Sequence, residues 1–216
     1  MTVTRRAKLK RTAAALLALF GWAALLLQYY LSLMAAGAMG ISQGEGIVRF
    51  FSGFGVQANS LAVLVLTVFA IKGSRDEWLV HPFVRSAVAV YTLLSAVIFI
   101  VLPRRFGFLG TIWWCGDAML YLVVPAGYLA FWFACVRKSG LRWYDPLLWL
   151  IYPLFYLGFV LVRGKMTGFY QYPFLDAKAL GYAGVAANTA GLLIGCAAIG
   201  GCLVMIGWRL ARPRPV

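Results

Sequence analysis

Six long apolar runs follow one another along the 216-residue chain, and they constrain its fold more than any other feature. A helix needs about 20 mostly apolar residues to cross the hydrocarbon core of a bilayer. The runs occupy residues 13–35, 48–71, 83–102, 109–136, 146–163 and 180–208. The connecting segments are too short to hold a soluble domain. We therefore predict an all-α, polytopic membrane protein, with a six-helix transmembrane domain at 13–208 between a basic N-terminal segment, 1–12, and a basic tail, 209–216.

The distribution of positive charge predicts the orientation of these helices. The chain has 20 Lys and Arg residues against 6 Asp and Glu, a net charge of +14. With the N-terminus inside, 14 of the 20 basic residues fall in inner segments and 6 in outer segments, as expected because Lys and Arg resist translocation. We expect the protein to lie in the inner membrane, with both of its termini in the cytoplasm. The positive charge then favours contact with anionic lipid headgroups, and we do not expect nucleic acid binding.

The N-terminus also resembles a secretory signal peptide, because RRAKLKR precedes an apolar run that ends in AAGAMG. The apolar run is longer than the 7–15 residues usual for a signal core, and Gln28 is its one strongly polar member. We therefore expect the first span to be retained.

Cysteine and histidine usage gives no sign of a metal, a cofactor or a disulfide framework. The chain has one histidine, His81, which we expect to be a solvated loop residue because a zinc site needs several ligands. All cysteines lie within predicted spans and none forms a C-x-x-C pair, which favours a packing role: Cys115, Cys135, Cys196 and Cys202.

Several residues predict helix ends and contacts. Asp145 followed by Pro146 has the form of an N-cap with proline at the first helical position, and Pro153 should kink the fifth span. Small residues recur every fourth position in the sixth span, which allows close packing within the chain or against a membrane protein partner. This small-residue stripe consists of Ala183, Ala187, Gly191 and Gly195.

The densest polar stretch, LVRGKMTGFYQYPFLD at residues 161–176, lies between the fifth and sixth runs, on the predicted outer side. Two interpretations are open for its charged residues: Asp176 is a helix N-cap and Arg163 a snorkelling span end, or both belong to a site. Asp117 lies inside a span, where an acid is costly, and we expect Arg49 or Arg163 as its partner. An outer-facing pocket for a lipid is one interpretation of these groups, and a polar network that locks the helices together is the other. The candidate pocket residues are Arg49, Gln57, Asn59, Asp117, Tyr121, Arg163, Tyr172, Asp176 and Asn188.

Three stretches, VRGKMTGFYQYPFLD, FFSGFGVQANSL and DAMLYLVVP, resemble the bacterial six-helix relatives of the androgen-induced membrane protein family, over nearly the whole chain. Animal members are integral-membrane threonine hydrolases that cleave fatty acid esters of hydroxy fatty acids. The resemblance implies a catalytic threonine on the second span and a histidine on the fourth. Here those positions hold Gly55 and Tyr121, and neither supplies a nucleophile with a suitable base.

Three functions follow as hypotheses. In the first, the chain binds a lipid or fatty-acyl ligand without catalysis. In the second, it is an ester hydrolase with a different nucleophile, for which Ser52 and Ser60 are the candidates. Either serine is more simply explained as a hydroxyl bonded back to its own helical turn. As the third hypothesis, the chain is an accessory subunit that uses the small-residue stripe.

Overall fold

The computed structural model describes residues 3–73, 81–101 and 110–211, and in these residues the regular structure is helical throughout. Six helical segments are long and apolar enough to cross a membrane, which confirms the predicted all-α, six-span class. They comprise Arg5–Ala38, Phe54–Lys72, Pro82–Val101, Thr111–Cys135, Asp145–Thr167 and Ala177–Ala211. The predicted orientation of the termini stays a prediction, and residues 212–216 of the basic tail lie outside the described residues.

The chain divides into two compact units, residues 1–137 and 138–216. The first unit contains α1 to α6 among its described residues: Val3–Ala38, Gln43–Phe51, Phe54–Lys72, Pro82–Val101, Gly110–Ala118 and Val124–Cys135. The second contains α7 to α9: Asp145–Leu148, Ile151–Thr167 and Ala177–Ala211.

The first unit packs around α1, whose small residues permit close approach of its neighbours. A Cβ at Gly21 would overlap the Val63 side chain of α3, and a Cβ at Gly127 of α6 would lie 2.8 Å from Leu17 Cδ2. Close backbone approach of this kind is how membrane helices gain van der Waals contact. Around these contacts lies an apolar core of Ala24, Leu25, Phe50, Val56, Val63, Leu120 and Val124.

We predicted one continuous span at 48–71, but the structure divides this apolar run between two helices. Helix α2 ends at Phe51 and α3 begins at Phe54, because Gly53 adopts an extended conformation with φ −73° and ψ 124°. Ser52 closes α2 through bonds from its amide and its hydroxyl to the Val48 carbonyl. Arg49 therefore lies on a separate short helix, and Gln57 lies in the first turn of α3.

The fourth span contains a wide π-helical segment, Met119–Val123, between α5 and α6. Pro125 explains its position, since proline has no N–H and its ring crowds the carbonyl four residues earlier, at Tyr121. The helix widens there, so that the Val124 amide bonds to the Met119 carbonyl, five residues back. Such segments often occur at functional sites.

In the second unit, the fifth span is broken between α7 and α8, upstream of Pro153. Proline at 153 disturbs the carbonyl of residue 149, and Trp149 is where α7 ends. Pro146 lies at the helix start as predicted. The N-cap prediction for Asp145 was wrong: Asp145 is the first helical residue, and its carboxylate accepts from the Arg142 amide at 2.8 Å.

Helix α9 is longer than the predicted run and is kinked at Gly181, whose φ of 67° and ψ of 166° suit glycine. Its Gly200 lies close to Pro146 and Trp149, so α7 packs on α9 there. The small-residue stripe is not used for packing inside this unit. Ala183, Ala187 and Gly191 are exposed, and a Cβ at Gly191 or Gly195 would meet no heavy atom within 4 Å.

Candidate functional site

Asp117 is buried in the first unit, where Gln28 of α1 donates a hydrogen bond to its carboxylate. The Gln28 Nε2 lies 2.7 Å from Asp117 Oδ1, and the two residues are 5% and 7% exposed. Gly116 makes the approach possible, because a Cβ there would lie only 2.8 Å from Gln28 Oε1. One signal for this pair was present in the sequence, since Gln28 is the lone strongly polar residue of its apolar run.

Arg49 forms an ion pair within its own helix, and its expected pairing with Asp117 stays a prediction. The Arg49 Nε bonds to Glu45 Oε1 at 2.8 Å, one turn earlier on α2. Gln57 also bonds locally, from Nε2 to the Phe51 carbonyl at 2.8 Å, and so bridges the break between α2 and α3. Arg49 therefore stabilises α2 itself, and Gln57 stabilises the connection between α2 and α3.

Asn59 is fully buried on α3 and faces α4. Its Nδ2 donates to the Gly55 carbonyl at 2.8 Å and contacts Ser95 Oγ at 3.4 Å, while its Oδ1 is buried without a hydrogen-bond partner. Gln28 Oε1 has no partner either. Ser95 carried no distinguishing pattern in the sequence, since single serines are common in spans.

Gly55 and Tyr121, the two positions singled out by the family resemblance, lie in contact. A Cβ at residue 55 would overlap Cε1 of the Tyr121 ring, which also packs against Phe99 with ring centroids 5.5 Å apart. Tyr121 thus contacts α3 and α4, whereas Asp117 contacts α1. The π-helical segment begins at Met119 and includes Tyr121, so the spacing from Asp117 to Tyr121 is not that of a regular α-helix.

Ser52, one of the two serines considered as nucleophiles, is bonded to its own helix. Its Oγ donates to the Val48 carbonyl at 2.6 Å. His81 is exposed, and its Nδ1 accepts from the Phe83 amide at 3.3 Å at the start of α4. In the described parts of the chain, no group of three or more His, Cys, Asp or Glu side chains is arranged to hold a metal ion.

In the second unit, the polar stretch forms a compact connection between α8 and α9. Gly168, with φ 75°, ends α8, and Pro173–Leu175 forms a short 3-10 turn. Asp176 acts as the N-cap of α9, since its Oδ1 accepts from the Lys178 amide at 2.9 Å. Asn188 Nδ2 donates to the Phe174 carbonyl at 2.9 Å. Tyr172 stacks on the Phe174 ring with centroids 5.1 Å apart.

Arg163 is the one predicted pocket residue that lines a groove described in the second unit. The groove has a volume of about 430 Å³ and runs along α8. Its lining is apolar except at one end: Gly158, Phe159, Val162, Arg163, Met166 and Thr167. The guanidinium lies 5.4 Å from the centre of the Phe169 ring.

The predicted pocket residues belong to both units, five to the first and four to the second. Their union in one pocket stays a prediction. Comparisons with protein-family models, with curated proteins and with solved structures find no match for this chain. The resemblance to the androgen-induced family likewise stays a prediction.

Proposed function

We propose that this integral membrane protein binds a single-chain acyl lipid with a carboxylate head, and that it does not hydrolyse it. The acyl chain lies in the groove along α8, and the carboxylate meets the Arg163 guanidinium. A guanidinium recognises a carboxylate through two parallel hydrogen bonds, which gives both affinity and orientation.

The observation that carries this proposal is the combination of one cation with an otherwise apolar groove on a membrane-spanning helix. Phe159, Val162 and Met166 are 47%, 60% and 81% exposed, so their side chains are available to a lipid chain. Arg163 is half-buried beside them, four residues before the end of α8. A charge at the end of a span lies at headgroup depth, where the carboxylate of a fatty acid also lies.

The contact between Gly55 and Tyr121 supports the absence of threonine–histidine chemistry. A nucleophilic mechanism needs a hydroxyl within hydrogen-bond reach of a base. Residue 55 has no side chain, and the space that a side chain would occupy is filled by the Tyr121 ring. The Ser52 hydroxyl donates to a backbone carbonyl, which holds it in the turn of its own helix.

Native mass spectrometry of the protein in mild detergent, supplied with a saturated fatty acid of about 16 carbons, tests the proposal. Two variants remove different parts of the site. Arg163→Gln removes the charge, and we expect binding to weaken about tenfold or more, the usual value of hydrogen bonds to a charged group. Gly158→Leu fills the groove, and no heavy atom lies within 4 Å of a Cβ there, so the helix itself is undisturbed.

Lys165→Gln is the matched control. Lys165 lies two residues after Arg163 and carries the same charge, but its side chain is exposed and does not line the groove. We expect fatty acid binding by this variant to equal that of the unaltered protein. Equal losses in Arg163→Gln and Lys165→Gln would instead indicate unspecific attraction to a basic surface. Unchanged binding in both Arg163→Gln and Gly158→Leu would refute the groove.

A second candidate function is that of a membrane subunit, and the open small-residue stripe of α9 favours it. The stripe does not pack inside its own unit, and bare backbone permits close approach of another helix. Gly191→Leu would abolish such an association while leaving fatty acid binding intact. Size-exclusion chromatography with light scattering distinguishes the two functions, because the stripe variant would change only the mass of the complex.

A further inference from the structure

Arg85 is a buried cation in the first turn of α4, and its guanidinium has an unused pair of donors. The residue is 3% exposed, and both Nε and Nη2 are buried with no hydrogen-bond partner. These two nitrogens form one edge of the guanidinium, the edge that binds carboxylates and phosphates through two parallel bonds. A charge without hydrogen bonds is strongly disfavoured in a low-dielectric interior.

The surroundings of Arg85 stabilise its position, but among the described residues none is paired with it as a counter-ion. The guanidinium carbon lies 4.9 Å from the centre of the Phe69 ring and 5.7 Å from that of Phe131. Cation–π contact of this kind offsets only part of the desolvation cost. The backbone is held by α6, because the Tyr128 hydroxyl donates to the Arg85 carbonyl at 3.1 Å and the Trp132 indole donates to Ser86 Oγ at 2.8 Å.

The acidic side chains of the described residues are engaged elsewhere. Glu45 pairs with Arg49, and Asp117 accepts from Gln28. Asp145 accepts from the Arg142 amide, and Asp176 caps α9. The counter-ion of Arg85 must therefore come from outside this set.

Among the described residues, the end of the bundle around Arg85 carries further basic side chains. Arg11 of α1 donates to the Ala70 and Ile71 carbonyls at the end of α3, next to Phe69, and Lys72 follows in the same turn. The start of α4 adds the positive end of a helix dipole. Helix ends of membrane spans lie at the depth of lipid phosphates.

We propose that the Nε–Nη2 edge of Arg85 binds the phosphate group of an anionic membrane lipid at the start of α4. The phosphate supplies two acceptor oxygens to the unused edge and completes the counter-charge. Arg11 and Lys72 contribute longer-range attraction. This site is distinct from the groove on α8, and it needs a different head group.

Native mass spectrometry of the full chain with phosphatidic acid, phosphatidylglycerol and phosphatidylcholine tests the site. We expect one phosphatidic acid or phosphatidylglycerol to be retained, with phosphatidylcholine released first. Arg85→Gln should lower retention about tenfold or more, because it removes the charge-assisted bonds. Arg85→Lys keeps the charge but not the two-donor edge. Its lipid retention should therefore lie between that of the unaltered protein and that of Arg85→Gln. The matched control, Arg209→Gln, removes an exposed charge from the second unit and should leave retention unchanged.

If Arg85→Gln proves unstable, the melting temperature of the unaltered protein still tests the site. Phosphatidic acid should raise the melting temperature of the unaltered protein more than phosphatidylcholine does, and inorganic phosphate alone should not. An equal rise with inorganic phosphate would overturn the assignment to a lipid. The sequence also has Asp76 and Glu77, which lie outside the described residues. If Asp76→Asn with Glu77→Gln destabilises the lipid-free protein as much as Arg85→Gln, and the two changes are not additive, the chain supplies its own counter-ion and the proposal fails.

Discussion

Breaking the bond between Gln28 and Asp117 should destabilise the first unit through the carboxylate that is left behind. Gln28→Met keeps the length of the side chain but removes the donor 2.7 Å from Asp117 Oδ1. A buried polar group that loses its partner costs about 1–3 kcal/mol, and a charged group costs more. We therefore expect Gln28→Met to lower the free energy of unfolding by about 2–3 kcal/mol. Asp117→Ala, which leaves only a neutral amide unpaired, should cost about 1–2 kcal/mol.

The double variant separates this bond from other effects of the two substitutions. Once both polar groups are gone, no buried carboxylate remains, so the combined loss should be smaller than the sum of the single losses. We expect a coupling energy of about 1.5 kcal/mol, near the upper end measured for hydrogen-bonded pairs between membrane helices. Reversible unfolding by SDS titration in mixed micelles measures all four free energies.

Gln57→Met serves as the matched control, because the Gln57 amide donates to the Phe51 carbonyl. Its effect should add to that of Asp117→Ala. A coupling energy below about 0.5 kcal/mol between Gln28→Met and Asp117→Ala would refute the pair as a helix-locking bond.

Two further predictions concern topology and chemistry. A phosphatase that is active only outside the cytoplasm should be active when fused after Lys165 and inactive when fused after Val216, as the charge distribution predicts, and the opposite pattern would reverse the whole topology. A fluorophosphonate probe should leave the protein unlabelled; Gly55→Thr should also lower the melting temperature, because its side chain overlaps the Tyr121 ring, and adding Tyr121→Ala should restore it. Labelling of the unaltered protein that disappears in Ser52→Ala or Ser60→Ala would instead support a hydrolase.

The spans could be predicted from sequence because a bilayer imposes one length and one composition on every crossing helix. Their interruptions could be predicted only in part. Pro153 signalled a break in the fifth span, and the structure places it four residues earlier, where the proline ring crowds the carbonyl. The break at Gly53 has no such rule, since glycine is frequent in continuous membrane helices.

The candidate site was harder to predict because polar partners depend on the rotation of each helix, which hydropathy does not specify. Asp117 was correctly identified as a costly buried acid, yet its contact is Gln28, 89 residues away. Two glycines make the contacts possible because they have no side chain. Gly116 leaves space for Gln28, and Gly55 leaves space for the Tyr121 ring. The local bonds of the polar stretch were more accessible to prediction, because an N-cap such as Asp176 needs only neighbouring residues.

The buried polar groups of the first unit differ in what they still require, and that difference separates structural from ligand-binding roles. The Gln28 and Asn59 amides each donate a hydrogen bond, and their unpartnered oxygens are neutral acceptors, for which a missing bond carries a modest cost. Arg85 lacks partners for two donors on a full positive charge, for which the cost is several times larger. Lipid phosphates are the anions present in quantity where spans end, which supports the proposal that a bound lipid satisfies the Arg85 edge.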